Sequence, residues 1–516
     1  MVMSPHLPPI DGESSVSYVA RLARFHANMN SHDYLRIVQL SRQDLTNGTD
    51  HATELITTMT GLPRERVEAM NFTHVGDKVF HHRGHRFGSH FAGREWTTYC
   101  PECLLEDADP GSPSAGLRVG RVNWFFLPVR TCPKHGIALV RRRTMHFSQR
   151  FQDMAFVAPD DQTLAMEARD AVHAEVSALQ TYVERRFDGA AGPAWLDDQG
   201  IDQAVKASEM LGACLEFGVK CNLDELTAAQ WDRAGAVGFQ AAKAGPEGIG
   251  RALDELVARA PEMNSRGGPQ AAFGRLFQWV QFNKSGRDRG PIRDVLREYI
   301  LDTMSIEPGT MLFGEEVVER RRHSIWSLSK TSGLHGKTLK RALVRSGILA
   351  GQDEDYMEPF TSFDAKAGED LVARIQYSMP VTAIPKYLNC NRTQAERLVR
   401  GGVIPRLVPE REDRSGILKN VAIEDLDAFM VRFRSRGRAV LVPSEGMADV
   451  IEMSEIIRVA VVDMVRMVLD GELVDIELLP EEMKFRSVLV NPDEILDVLA
   501  RRAPIQRDPI AEDLAA

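Results

Sequence analysis

Four residues in the N-terminal third of the chain have the types and spacing of a zinc site. Cys100 and Cys103 form a Cys-x-x-Cys pair, and Cys132 and His135 form a Cys-x-x-His pair after a further 28 residues. Thiolates and imidazoles are the usual zinc ligands, and each tight turn can direct two of them at one metal. Four protein ligands complete a tetrahedral shell and leave no position for water, so the pattern predicts a structural zinc rather than a catalytic one.

A group of histidines precedes this motif. His81, His82, His85 and His90 lie in the stretch HHRGHRFGSH. No cysteine or carboxylate completes a familiar metal-ligand spacing around them. We therefore expect a polar, partly exposed loop here rather than a second metal site.

The composition describes a large folded protein. The chain has 516 residues, 43% of them hydrophobic, enough for roughly three or four domains. No apolar run reaches the roughly 18 residues of a membrane span, and the N-terminus lacks a basic and then apolar signal sequence. We expect a cytoplasmic protein with no membrane contact. Three of the six cysteines belong to the zinc motif, and we expect the other three, Cys214, Cys221 and Cys390, to be small buried hydrophobes.

The elements that must position the zinc ligands are predicted to be mainly α-helical. Val16, Val19, Ala20 and Ala23 recur at helical spacing after the capping residues Ser14 or Ser15. A helical pattern also runs over residues 162–304, interrupted by Gly- and Pro-rich loops, and it carries no chemistry of its own.

The opening helix and the zinc motif together resemble one known family. Glu13, Ser14, Ser17 and the run Arg21-Leu22-Ala23, followed by CPECL at 100–104, Trp124 and CPKHGIAL at 132–139, are similar to the TniQ family of bacterial transposition proteins. The resemblance extends through Val237-Gly238-Phe239, FGRLFQW at 273–279 and IRDVLREYI at 292–300, and covers roughly residues 8–350. Ser15 and Tyr18 depart from the family, which more often has Leu and Trp there.

A basic stretch in the second half has the pattern of a helix-turn-helix. In SIWSLSKTSGLHGKTLKRALVRSGIL, at 324–349, a break at Gly333 separates two amphipathic helices. From Glu319 to Arg345 one acid accompanies eight bases, although the net charge of the chain is −10. We expect the second helix to face DNA with its exposed residues near the N-terminus. The candidate contacts in this module are Arg320, Arg321, Arg322, Lys337, Thr338, Lys340 and Arg341.

The same pattern recurs twice. At an offset of 55 residues, LNCNRTQAERLVRGGVI at 388–404 aligns with 333–349, and Arg392, Thr393 and Arg397 become further candidate DNA contacts. A third copy, at a further offset of 69, is acidic. Its Glu472, Asp475, Glu477, Glu481 and Glu482 would repel phosphates, so we expect it to bind protein or to dimerise. The second and third copies resemble winged, excisionase-type modules.

These patterns divide the chain into six parts. We expect a TniQ-like domain with the zinc site, a helical domain, a helix-turn-helix, two winged helix-turn-helix-like modules and a tail. Their boundaries are 1–150, 151–315, 316–350, 375–440, 445–505 and 506–516.

Enzyme signatures are missing from the sequence. His173-Ala174-Glu175 follows the cysteines rather than preceding them, and the cysteine pair reads Cys-Pro-Glu-Cys, so the zinc deaminase signature is not matched. The chain contains no G-x-x-x-x-G-K-[ST], H-E-x-x-H or G-x-S-x-G motif. We expect a protein without enzymatic activity.

The resemblance implies a target-selection adaptor that binds DNA and recruits a transposon ATPase and a transposase. Target choice by direct DNA reading and by docking on an RNA-guided CRISPR complex both stay open, as does a homodimer. The alternative is a zinc-stabilised, DNA-binding transcription regulator unrelated to transposition.

Overall fold

The protein is mostly helical, as predicted. The computed structural model describes residues 2–143, 152–259, 268–282, 286–353, 361–408 and 416–502. Most of them lie in helices, and the sheets have two to four short strands. The chain forms two compact units, the first made of Met1–Ile300 with Gly309–Glu316 and the second of Leu301–Pro308 with Val317–Ala516. Within the described ranges, no helix combines the length and apolarity needed to cross a membrane.

The first unit opens with five helices. Four of them begin after a Ser, Thr or Asn whose side chain accepts a backbone N–H of the first turn. Their apolar faces form one small core. The helices are α1 (Ser15–Ala27), α2 (Ser31–Ile37), α3 (Arg42–Asn47), α4 (Asp50–Thr60) and α5 (Arg64–Glu68).

An antiparallel three-stranded sheet follows, built from β1 (Thr73–Gly76), β2 (Val79–His82) and β3 (His85–Gly88). The expectation of a loop is wrong for most of the histidine group, because three of the four histidines lie on these strands. The His82 ring is buried, and its Nδ1 lies 2.8 Å from the carbonyl oxygen of Asn71. Phe80 and Phe87 pair across β2 and β3 and bury this part of the stretch.

The zinc motif lies among short strands and one helix. β4 (Trp96–Tyr99) leads into α6 (Pro101–Asp107) and pairs with β7 (Val140–Arg143), while β5 (Thr131–Cys132) and β6 (Ile137–Ala138) form a hairpin.

The rest of the first unit consists of helices and one short hairpin. The helices α11 (Ile201–Phe217) and α12 (Ala228–Ala242) cross so closely that only glycine fits at two positions. A Cβ on Gly212 would lie 1.7 Å from the carbonyl oxygen of Ala234, and one on Gly238 would lie 1.8 Å from that of Ser208. These elements are α7 (Met154–Val157), α8 (Asp161–Arg169), α9 (Ala178–Phe187), α10 (Ala194–Asp197), α11 (Ile201–Phe217), α12 (Ala228–Ala242), α13 (Gly245–Ala258), α14 (Gly268–Gln281), α15 (Ile292–Thr303), β8 (Met311–Leu312) and β9 (Glu315–Glu316).

A buried polar network connects α1 to the segment between the two cysteine pairs. Glu13 and Arg21 are almost completely buried, and Arg21 Nη1 donates to Glu13 Oε2 over 2.6 Å. The Ser17 hydroxyl donates to the same carboxylate over 3.0 Å. Arg21 Nη2 donates to the carbonyl oxygen of Ser114, and the N–H of Gly120 donates to Ser17 Oγ. The opening motif therefore holds the chain that joins the predicted ligand pairs.

The second unit contains three copies of one arrangement: a strand, two helices, a strand that pairs antiparallel with the first, and a closing helix. The paired strands are residues 322–324 with 362–364, 378–379 with 421–422, and 448–449 with 488–490. The repeat seen in the sequence is thus a repeat of structure. The first copy includes a second strand and a closing helix that continue past the predicted boundary at residue 350.

We number these elements in chain order. The first copy contains β10 (Arg322–Ser324), α16 (Ile325–Ser332), α17 (Gly336–Arg345), β11 (Ser362–Asp364) and α18 (Ala365–Gln376). The second contains β12 (Ser378–Met379), α19 (Ile384–Leu388), α20 (Arg392–Arg400), β13 (Val421–Ala422) and α21 (Ile423–Arg434). β14 (Arg438–Ala439) precedes the third, which contains β15 (Ala448–Asp449), α22 (Val450–Ile457), α23 (Val461–Asp470), β16 (Ile476–Leu478), β17 (Val488–Val490) and α24 (Pro492–Arg502).

The third copy packs on the second. Residues from Ile384 to Val498 contribute to a single apolar core that both copies share. α23 is the equivalent of α20, and half of its ten residues are buried. Arg466 on α23 also donates to the carbonyl oxygen of Gly401 over 2.6 Å. This helix is therefore used for packing inside the unit.

Removing the Glu13 side chain should destabilise the first unit. In Glu13→Ala, the buried Arg21 guanidinium and the Ser17 hydroxyl lose their acceptor, and we expect a cost of about 3–5 kcal/mol. The matched control is Glu68→Ala, which removes a carboxylate paired with Arg64 at the surface and should cost at most about 1 kcal/mol. Urea unfolding measures both, and equal losses would contradict the role of the network.

The same carboxyl should make stability depend on pH. Burial raises the pKa of Glu13 from 4.5 to about 7, and Arg21 opposes this shift. The folded state then binds the proton more tightly than the unfolded chain, so this contribution is complete below the unfolded value and is lost as pH rises through about 7. The free energy of unfolding of wild type minus that of Glu13→Gln should therefore fall over this range. A difference that rises with pH would show that Arg21 outweighs burial.

Candidate metal centre

The structure brings the four predicted ligands together. Cys100, Cys103, Cys132 and His135 place one donor atom each within 4.8 Å of all the others. His135 Nδ1 lies 3.4 Å from Sγ of Cys100, 3.4 Å from Sγ of Cys103 and 3.6 Å from Sγ of Cys132. Cys103 Sγ lies 3.7 Å from Cys132 Sγ. The three cysteines are buried, and His135 is partly exposed.

Local structure places each donor. Cys100 caps α6, and Pro101 begins the helix, so that Cys103 follows in its first turn. Cys132 ends β5, and the turn to β6 is closed by the N–H of Gly136, which donates to the carbonyl oxygen of Cys132 over 2.9 Å. The antiparallel pair of Tyr99 with Val140 joins the strand before the first ligand pair to the strand after the second.

The spacing of the donors fits a tetrahedral metal ion. Zn–S bonds of about 2.3 Å and Zn–N bonds of about 2.0 Å put sulfurs about 3.8 Å and sulfur and nitrogen about 3.5 Å apart in a regular tetrahedron. The observed separations of 3.4–3.7 Å agree with this. The cluster can therefore hold a metal ion, and its thiolates and imidazole are donors of the kind that Zn²⁺ accepts.

Charge and hydrogen bonding favour a cation at this position. Hydrogen bonds from Cys100 and Cys103 lower the pKa of the Cys132 thiol, and thiol hydrogen bonds raise the pKa of Cys103. Three buried sulfurs cannot all ionise side by side without a positive charge between them. A metal ion supplies that charge and allows all three to be thiolates.

A carboxylate supports the imidazole from outside. Glu106 lies on α6 three residues after Cys103, and its Oε1 is 3.1 Å from His135 Nε2. Partial burial raises the pKa of Glu106, but the hydrogen bonds and charges of Lys134 and His135 together lower it below its ordinary value. The carboxylate fixes the ring so that Nδ1 faces the sulfurs, a common arrangement for a metal-bound histidine. The sequence pattern did not reveal this residue, although its spacing from Cys103 on one helix was a usable signal.

Asp107, the last residue of α6, holds the connecting segment. Its carboxylate accepts two hydrogen bonds from the Arg121 guanidinium, over 3.0 and 3.1 Å, and one from the N–H of Val119 over 3.1 Å. Its carbonyl oxygen accepts from the Ser114 hydroxyl. The segment between the two ligand pairs is therefore held by Asp107 on α6 and by Ser17 and Arg21 on α1.

The predicted DNA contacts of the first copy are placed unequally. Arg320 donates to the Ser305 hydroxyl over 2.9 Å, Arg321 pairs with Asp302 over 2.8 Å, and Arg322 donates to the carbonyl oxygen of Ser362. All three guanidinium groups therefore have structural contacts within the unit.

On α17, the expectation that Lys340 lies on the exposed side is wrong. Lys340 is 1% exposed, and its Nζ donates to Gln352 Oε1. The buried face of this helix is wider than its leucine spacing indicates, because the chain after the helix folds back over it. Lys337 is exposed, and Thr338 and Arg341 are partly exposed.

The second copy presents its basic residues openly. Arg392, Thr393, Arg397 and Arg400 are all exposed on α20. Arg392 and Arg400 approach Glu396 over 2.9 and 3.8 Å. Within the described part of the chain, the Arg397 guanidinium has no ion-pair partner.

The comparison with known families agrees with the geometry. Residues 4–139 match the TniQ family model. This range contains all four ligands and the Glu13–Arg21 network, and it ends where β6 has just closed the second ligand pair. The resemblance proposed beyond residue 139 lies outside the match. No curated protein matches the chain.

We expect one zinc ion per chain, and Cys132→Ser should lose it. Replacing one of the thiolates opens the shell and removes metal-coupled folding energy from the surrounding domain. Metal analysis and thermal unfolding of the purified protein test both effects. Cys221→Ser, the same change at a cysteine outside the cluster, should retain the metal. A folded Cys132→Ser protein with wild-type stability and no zinc would contradict a structural role.

Proposed function

We propose that this TniQ-family protein, whose TniQ domain spans residues 4–139, is a non-enzymatic adaptor for target selection in transposition. In this proposal the first unit recruits a transposon ATPase and a transposase, and the second unit binds DNA. The match of the N-terminal domain to the TniQ family is the observation that carries the proposal.

DNA binding is assigned first to α20. Its N-terminal part presents Arg392, Thr393 and Arg397 to solvent, and an exposed basic helix that follows another helix after a short turn suits the major groove. In α17, the contacts are reduced to Lys337, Thr338 and Arg341, because Lys340 is buried. We assign Arg320, Arg321 and Arg322 a supporting role, since each guanidinium already contacts its own unit.

The third copy is proposed to support the second rather than to read DNA. Its second helix has a single base, Arg466, which donates to the carbonyl oxygen of Gly401 in the second copy. Glu477, one of the acids expected to repel phosphates, is itself buried and accepts hydrogen bonds from Arg438 and Ser444. Deleting this copy would also expose the core of the second copy, so point substitutions are the cleaner probe.

The metal is proposed to be a structural zinc. Four protein donors close its shell, and no position is left for a reacting water. Direct DNA reading is the favoured route to the target, because it uses the exposed helix α20. Docking on an RNA-guided CRISPR complex would instead leave Arg392 and Arg397 without a role in target choice.

Charge reversal on α20 should weaken DNA binding. For Arg392→Glu/Arg397→Glu, we expect affinity to fall at least about tenfold. The slope of log affinity against log salt concentration should also decrease in magnitude by about two, because two phosphate contacts are lost. The control Arg251→Glu/Lys366→Glu has the same change in net charge at exposed positions on α13 and α18. Fluorescence anisotropy with target DNA measures both.

Two results would contradict this assignment. Unchanged affinity in the α20 variant would remove α20 from the DNA interface. An equal loss in the control would show that net charge, rather than this helix, governs binding. Insertion assays with the neighbouring transposition proteins then test whether DNA binding serves target selection.

A further inference from the structure

The first unit contains a cleft whose lining residues include neither the four candidate metal ligands nor the residues proposed to bind DNA. Two cavities, of 680 Å³ and 920 Å³, adjoin each other between the sheet β1–β3 and the helices α11 and α14. They share His90, Asp202, Lys206, Trp279 and Arg289 among their lining residues. We call this combined space the tryptophan cleft.

One end of the tryptophan cleft combines tryptophan and aliphatic side chains with charged ones. Trp96 and Trp231 line the smaller cavity together with Leu127, Val205 and Leu226. Trp96 remains 41% exposed although it belongs to a strand beside the metal centre. The tryptophan rings and the aliphatic side chains beside them give this end room for one large apolar side chain.

The other end is cationic. The larger cavity is lined by five cations, Lys78, Arg86, Lys206, Arg287 and Arg289, and by three acids, Asp77, Asp202 and Asp288. Lys78 and Arg86 are exposed, and neither has an ion-pair partner among the described residues. Cations that converge on one cavity favour a negatively charged ligand.

Two arginines that line the cleft each have a buried donor without an acceptor. Arg130 is nine-tenths buried, and its Nη2 donates to Glu209 Oε1 over 2.5 Å. Its Nη1 is buried and has no hydrogen-bond partner, and the same is true of Arg289 Nε. Buried donors are nearly always paired. Arg289 lines both cavities, and a ligand carboxylate beside it would give its Nε an acceptor.

We propose that the tryptophan cleft binds an acidic peptide segment of a partner protein, with a large apolar side chain at the tryptophan end and carboxylates at the cationic end. The two ends lie in adjoining cavities, so the apolar and acidic residues must be close together in the bound segment. The identity of the partner rests on the proposed function: the segment would belong to the transposon ATPase or the transposase.

A single-stranded nucleic acid fits the cleft less well. Bases need open ring faces for stacking, but the Arg289 guanidinium lies 4.9 Å from the Trp279 ring centre, and Lys206 Nζ lies 4.3 Å from that of Trp231. Asp202, Glu209 and Asp224 also line the aromatic end and would repel phosphates passing through it. A peptide can place an uncharged side chain there.

The test uses the full-length protein and its own tryptophan fluorescence. The probe is the tryptophan-free peptide acetyl-Glu-Asp-Asp-Phe-Leu-amide, with acetyl-Lys-Lys-Lys-Phe-Leu-amide as its charge-reversed counterpart. We expect saturable fluorescence change with the acidic peptide only. Lys78→Glu/Arg86→Glu should weaken its binding by about tenfold or more, because both exposed cations are reversed. Arg251→Glu/Lys366→Glu, with the same net charge change outside the cleft, should bind as wild type.

Several results would overturn the proposal. These are no saturable change with the acidic peptide, equal binding of both peptides, or equal binding by the Lys78→Glu/Arg86→Glu variant. A short oligothymidylate that binds wild type and loses affinity selectively in that variant would assign the cleft to nucleic acid instead. Because Lys78 and Arg86 are exposed, thermal unfolding of the variant should match wild type.

The assignment of the cleft and the proposed function can be tested independently of each other. If the chain binds the acidic peptide at the cleft but not the ATPase or transposase, the cleft assignment stands and the recruitment function falls. If the Lys78→Glu/Arg86→Glu variant still binds the machinery and supports insertion like wild type, the cleft has no part in recruitment, and the proposal falls while the adaptor function stands.

Discussion

The N-terminal domain brings three buried sulfurs and one imidazole close together. Separations of 3.4–3.7 Å between these donors fit a shared metal ion, and negative charge at all three sulfurs would need a cation beside them. The two halves of the cluster come from chain segments 28 residues apart. Everything that holds those segments in register therefore also holds the metal centre.

A buried network of charged and polar side chains holds these two segments in position. Glu13 and Arg21 lie on either side of the first turn of α1, and their contacts reach Ser114, while Ser17 receives the N–H of Gly120. Asp107 then ties the end of the ligand helix to Arg121. The opening motif and the cysteine pairs thus act as one structural element, which gives a physical reason for their joint occurrence in a TniQ domain.

In the second unit, the three copies share one arrangement of strands and helices but present different side chains on the second helix. α20 presents Arg392, Arg397 and Arg400 to solvent, whereas the equivalent α23 has a single base, Arg466, which donates to the carbonyl oxygen of Gly401. Both helices bury an apolar face in the shared core. The copies therefore differ in the charge that the second helix presents rather than in how its apolar face is packed.

The sequence by itself pointed to the four candidate ligands, to the TniQ match of residues 4–139 and to the periods of the repeat. These follow from short-range spacing, because a Cys-x-x-Cys turn or a capped amphipathic helix is encoded within a few residues. Only the tertiary structure decided that Lys340 is buried, with its Nζ donating to Gln352 after the end of α17. It also decided the strand positions of the histidines, the partners of Glu13 and the tryptophan cleft. The cleft, and the contacts of Arg21 and Ser17 with Ser114 and Gly120, join residues far apart in the chain and depend on packing rather than on local pattern. The histidine strands pair locally, but their position is fixed by the buried phenylalanines and by the contact of His82 with Asn71.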